Sequence, residues 1–148
     1  MFMKKIILLL SLILMGFGVF SQTLPIDSRL YARYSEEELQ NMLSHNPAGV
    51  EYKNWFLDNA YVVKQISDPE SSPFPKLKYW DKETKMAGAE VTEYDSETFN
   101  VMEYSYDVLP KKSNAYLIGD TGYLLVFYSG EDLTKLFNEY RRANNENR

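Results

Sequence analysis

The chain has 148 residues, no cysteine, and 16 basic against 21 acidic side chains for a formal charge of -5. Disulfides, thiol nucleophiles, thiolate zinc sites and iron–sulfur ligation are thereby excluded, so the fold rests on its hydrophobic core. An acidic chain is also repelled by nucleic acid phosphates, which argues against a nucleic acid partner.

In chain order, the first element is a targeting signal rather than part of a fold. Lys4 and Lys5 form a short positive segment, and an apolar run from Ile6 to Phe20 follows, broken only by Ser11, Gly16 and Gly18. Val19-Phe20-Ser21 then places small or modest side chains before Gln22, the pattern of a cleaved secretory signal peptide over residues 1–21. The run is shorter than the roughly 20 apolar residues of a membrane-spanning helix. The expectation is an exported bacterial protein, periplasmic or extracellular, with no integral membrane segment after cleavage. Lacking a cysteine, it is not a lipoprotein. Residues 22–148 then carry 14 basic and 21 acidic side chains, a charge of −7. That length suits one domain, burying about two-thirds of its unfolded surface.

Residues 22–34 show little periodicity and read as an extended lead-in. A helix opens after Ser35, with Glu38 as its capping-box partner, Tyr34 and Leu39 as a staple, and Leu39, Met42 and Leu43 as its apolar stripe. Asn46-Pro47 ends it and suits the cap and first position of a second helix running to about Asn59. Tyr61 to Ile66 is β-rich. Three prolines between Pro69 and Pro75 then make a stiff loop in which no ladder forms. Strands are expected over 76–80, 85–94, 98–108, 114–118 and 122–128, and the short connections between them favour an antiparallel meander. Tyr123 to Tyr128 is apolar on both faces and belongs mid-sheet. The last helix starts at Ser129 with Asp132 as box partner, lines one face with Leu133, Leu136, Phe137 and Tyr140, and frays after Ala143. These elements predict an α+β domain in two layers, a mostly antiparallel sheet of five to six strands packed on two N-terminal helices and one C-terminal helix.

Chemistry-bearing patterns are sparse. His45, the single histidine, falls in the last turn of the first helix, where a surface role complementing the helix dipole is expected. No cofactor and no metal site is expected. Six acids and no base lie between Glu90 and Asp107, an arrangement expected to be mostly solvated sheet face. Asp120-Thr121-Gly122, flanked by apolar strands, resembles the catalytic turn of aspartic proteases, where two such aspartates share a proton. Gly119 replaces the usual apolar residue, however, and Gly-Asp-Thr-Gly is equally a hairpin turn. The strongest binding candidate is Phe74, Lys76, Lys78, Trp80 and Lys82, the one concentration of lysines interleaved with aromatic rings. Pairing of these lysines with neighbouring glutamates is the plainer account of them.

The function expected is a non-enzymatic binding or accessory module of the bacterial envelope or secretome, recognising an envelope or secreted protein segment or a glycan through that surface. A carboxylate-dependent hydrolase of glycan or peptide, and a structural subunit of an envelope assembly, are the alternatives.

Overall fold

A computed structural model describes residues 24–146. The signal-peptide reading of residues 1–21 lies outside them. The fold is α+β, with three helices and two three-stranded antiparallel sheets.

The segment before the first helix is not extended as expected: Ser28–Ala32 forms a 3-10 turn. Asp27 explains it. Its carboxylate accepts from the Arg29 backbone N–H at 2.9 Å, which caps the turn, and Leu30 is fully buried as its anchor. Helix α1 (Glu36–His45) starts at the predicted capping box, in which Ser35 Oγ accepts from Glu38 N–H and the Glu38 carboxylate accepts from Ser35 N–H. Helix α2 (Pro47–Asn59) opens on Asn46, whose side chain accepts from Gly49 N–H, with Pro47 at the first position, where its missing N–H costs nothing.

Strand β1 (Tyr61–Gln65) follows directly, then β2 (Lys78–Asp81), β3 (Met86–Glu90), β4 (Tyr104–Ser105), β5 (Asn114–Leu117) and β6 (Tyr123–Phe127). The six strands divide between a sheet of order β1-β6-β5 and a second of order β3-β2-β4. The long expected strands over 85–94 and 98–108 are therefore short. Asn100 caps a 3-10 turn at Val101–Glu103, and residues 91–99 cross between the sheets without a ladder. β6 is the central strand of its sheet, as its two-sided hydrophobicity requires. Leu125 and Phe127 enter the main core, while Leu124 forms a small cluster on the other face with Ala115 and Leu117, against which Val126 packs.

The main core joins all parts of the fold. Leu30, Leu39, Leu57, Leu77, Val91, Leu125, Phe127 and Leu133 are at most 1 % exposed. Each such side chain contributes roughly 1.5–3 kcal/mol of burial energy. Helix α3 (Gly130–Glu146) begins where Ser129 Oγ accepts from Asp132 N–H and donates to the Asp132 carboxylate, and it continues past the expected fraying point. Its apolar face docks through Phe137, whose ring meets Tyr52 edge-on at 5.1 Å and Trp55 at 5.3 Å. Leu136 and Tyr140 on the same helix stay exposed. No helix among the described residues is long and apolar enough to cross a membrane.

Candidate functional site

The five side chains singled out from the sequence are spread over the molecule rather than gathered. Phe74 is exposed and borders a cleft of about 340 Å3 with Leu124 and Val126. Lys76 lies 3.0 Å from Asp120 and 3.8 Å from Glu90. Lys78 is exposed on β2. Trp80 is half-buried beneath the Arg33 guanidinium, whose carbon stands 4.4 Å from the indole and 4.9 Å from the Tyr106 ring. Its Nε1 is buried without a hydrogen-bond partner among the described residues. Lys82 donates to the Tyr31 carbonyl at 2.9 Å, and the neighbouring Lys85 pairs with Glu38. The β2–β3 register shifts between Lys78 and Trp80, with one extra residue on β3. Leu77 is buried, whereas Tyr79 is 40 % exposed with its ring 5.6 Å from Tyr104.

The other patterns resolve as local structure. His45 is exposed and its Nδ1 sits 2.9 Å from the Asn41 carbonyl, one turn back. Asp120-Thr121-Gly122 is the β5–β6 hairpin turn, where Gly119 and Gly122 take φ of 55° and 79°, and the Asp120 carboxylate is exposed beside Lys76. The six acids from Glu90 to Asp107 are all exposed. No group of three or more His, Asp or Glu side chains among the described residues is placed to hold a metal ion.

A site that the sequence did not point to lies along β1. This strand pairs only with β6, in an unbroken register from Tyr61 opposite Phe127 to Gln65 opposite Tyr123. Hydrogen bonds from Tyr128 N–H to the Ala60 carbonyl and from Ile66 N–H to the Gly122 carbonyl fix the parity at both ends. Even-numbered residues face β6, so Tyr61, Val63 and Gln65 direct their N–H and C=O groups outward. No described segment forms a ladder with that edge.

The three remaining edges are treated differently: β4 is only two residues long, and its Tyr104 carbonyl accepts from the Arg33 guanidinium at 3.2 Å. On β5, Leu117 is bonded on both backbone groups by Pro75 and Leu77, and Ala115 N–H is taken by the Asn114 side chain. On β3, the register shift is a bulge, a device that spoils an edge for pairing. β1 carries none of these protections.

A cleft flanks β1 on each side. The first, about 530 Å3, lies where Tyr61 and Val63 face the 94–103 segment. Tyr61 meets Phe99 at 5.7 Å and 61°, and Tyr94 meets Phe99 at 5.6 Å and 64°, so the rings form a corner rather than one flat platform. Asp58, Glu97 and Glu103 line it with Arg29. That guanidinium is fully engaged, bridging Asp58 at 2.6 and 2.8 Å and Asp27 at 2.8 and 3.1 Å. The bridge holds the Asp27 carboxyl below its ordinary range, chiefly through the Arg29 side-chain hydrogen bonds, and raises Arg29 above its own. Burial, then the negative field of Asp58, pushes the Tyr61 hydroxyl up. The second cleft, about 430 Å3, lies between the end of α2, β1 and α3, lined by Trp55, Val62, Tyr128, Leu136 and Tyr140. Asp58 and Tyr61 border both.

No protein family matches this chain, and neither the curated proteins nor the solved structures contain a significant relative.

Proposed function

We propose that the protein is a non-enzymatic binding module of the bacterial cell envelope or secretome that recognises an extended segment of another protein by adding it as a strand to β1. The carrying observation is the outer edge of β1, a regular five-residue strand whose outward side pairs with no other strand among the described residues. Strand addition takes its affinity from such groups and its selectivity from pockets receiving alternate side chains. The two clefts stand where those pockets belong. Of the two ligand classes expected, the protein segment is favoured over the glycan, because the aromatic corner offers a sugar ring no flat surface.

Gln65→Pro tests the reading. The Gln65 N–H points outward and its side chain is exposed, so proline removes a docking donor while leaving the β6 ladder intact. A partner retained at equal stoichiometry from the native envelope by the tagged chain is expected to be lost with Gln65→Pro at unchanged melting temperature. Retention of the same partner by the folded variant overturns the β1 assignment.

A further inference from the structure

Resting on that reading, we infer that the segment received by β1 carries a basic side chain, Lys or Arg, in the Tyr61–Phe99 cleft, with apolar side chains at the flanking positions in the cleft beneath Tyr140. The two clefts differ in chemistry, and the difference fixes the pattern. In the first, Arg29 is neutralised by Asp27 and Asp58, which together leave one negative charge in excess. Glu97 and Glu103 add two more, with no salt bridge to a basic side chain among the described residues. Tyr61, Tyr94 and Phe99 present ring faces and edges at angles near 60°. A cation is attracted to ring faces and to carboxylates together, whereas an acidic side chain is repelled by both. A long stem with a charged end also suits a cleft whose aromatic floor is half-buried and whose carboxylates stand at the solvent rim.

The second cleft carries fewer acids. Trp55, Val62, Tyr128, Leu136 and Tyr140 line it, with Asp58 and Asn59 at its border, and Leu136 and Tyr140 are among the exposed large apolar side chains of the molecule. Successive side chains of an added strand point to opposite faces. Consequently, a residue entering the first cleft has both neighbours on the side of the second. The recognised pattern is apolar–basic–apolar in extended conformation, and it differs from general attraction of cations to an acidic protein because it is tied to strand position.

The test is selection of a random octapeptide library displayed on phage against the full chain, the Gln65→Pro variant, and two double variants of equal charge change. One is Glu97→Lys with Glu103→Lys in the cleft; the other is Glu36→Lys with Glu37→Lys on α1, away from the β1 edge. Because Gln65→Pro bears on the strand itself, Val63→Pro, which removes the other outward N–H without adding charge to the cleft, serves as a second edge-blocking variant, and circular dichroism checks each for folding. The expected result is peptides lost with both edge variants and enriched about tenfold in Lys or Arg between apolar residues. That enrichment disappears in the cleft variant and persists in the α1 variant. Edge-dependent peptides without a basic residue, or a basic preference that survives in the cleft variant, overturn the inference while leaving strand addition standing. Absence of any edge-dependent peptide overturns both.

Discussion

Phe127→Ala is expected to lower the unfolding free energy by about 3–5 kcal/mol, the range for truncating a buried aromatic side chain whose cavity cannot collapse. Phe127 is fully buried at the end of β6, the central strand of the β1-β6-β5 sheet. Its ring stacks on Tyr106 at 4.4 Å, meets Tyr61 at 5.9 Å, and lies 6.3 Å from both Phe56 and Tyr116. Those partners come from α2, β1, the 104–108 segment and β5, so no single element can shift to fill the space. Urea unfolding measures the loss, with the denaturant slope unchanged if the native and unfolded states keep their compactness. A loss below about 1 kcal/mol means that the Phe127 ring is not the common packing centre, against a truncation scale several times larger.

Gly119→Ala is the second large effect. At φ of 55°, an added Cβ stands 2.6 Å from the Val91 carbonyl oxygen and 3.1 Å from the Thr92 Cα, both backbone atoms that cannot rotate away. Left-handed strain of about 1–2 kcal/mol and a steric term of about 1–3 kcal/mol give an expected loss of about 2–5 kcal/mol. Gly122→Ala separates the two contributions. Its φ is 79°, yet the nearest atom to a Cβ is the Ile66 carbonyl oxygen at 3.6 Å, an ordinary contact. That variant therefore carries the strain alone, at about 1–2 kcal/mol. Equal losses for the two variants contradict the close approach of the β5–β6 turn to residues 91–92. This approach matters for the site, because residues 91–99 continue from it to place Tyr94 and Phe99 over β1.

What was legible in the sequence was local. The capping box at Ser35, the Ser129 side-chain cap, the Asn46-Pro47 junction and the glycine-bounded turn at 119–122 each depend on residues within four positions, and each formed. At Ser129, however, the Asp132 carboxylate takes the serine hydroxyl rather than the backbone N–H of a full box. The mid-sheet position of Tyr123–Phe127 also followed from its apolar character on both faces. Less legible was anything set by distant pairing. β1 meets β6 across more than fifty residues, and nothing within Tyr61–Gln65 announces that its other side stays open. Likewise, acids 90–107 were readable as solvated but not as the rim of a cleft, because Glu97 and Glu103 reach Asp58 only through the crossing of the 91–99 segment. The lysines of 76–85 showed the converse. Their concentration is conspicuous in the sequence, yet Lys76, Lys82 and Lys85 each meet an acid or a carbonyl nearby. Composition thus drew attention to the hairpin, while the unpaired backbone, which has no compositional signature, lay elsewhere.

Amide hydrogen exchange along β1 tests the central claim most directly. In the free chain, the amides of Val62, Lys64 and Ile66, bonded to β6, exchange slowly, while those of Val63 and Gln65 exchange fast. In complex with a partner held through strand addition, Val63 and Gln65 become as protected as their neighbours. A Val63 amide already protected in the free chain, or one still exchanging fast in the complex, contradicts the assignment of β1 as the docking edge.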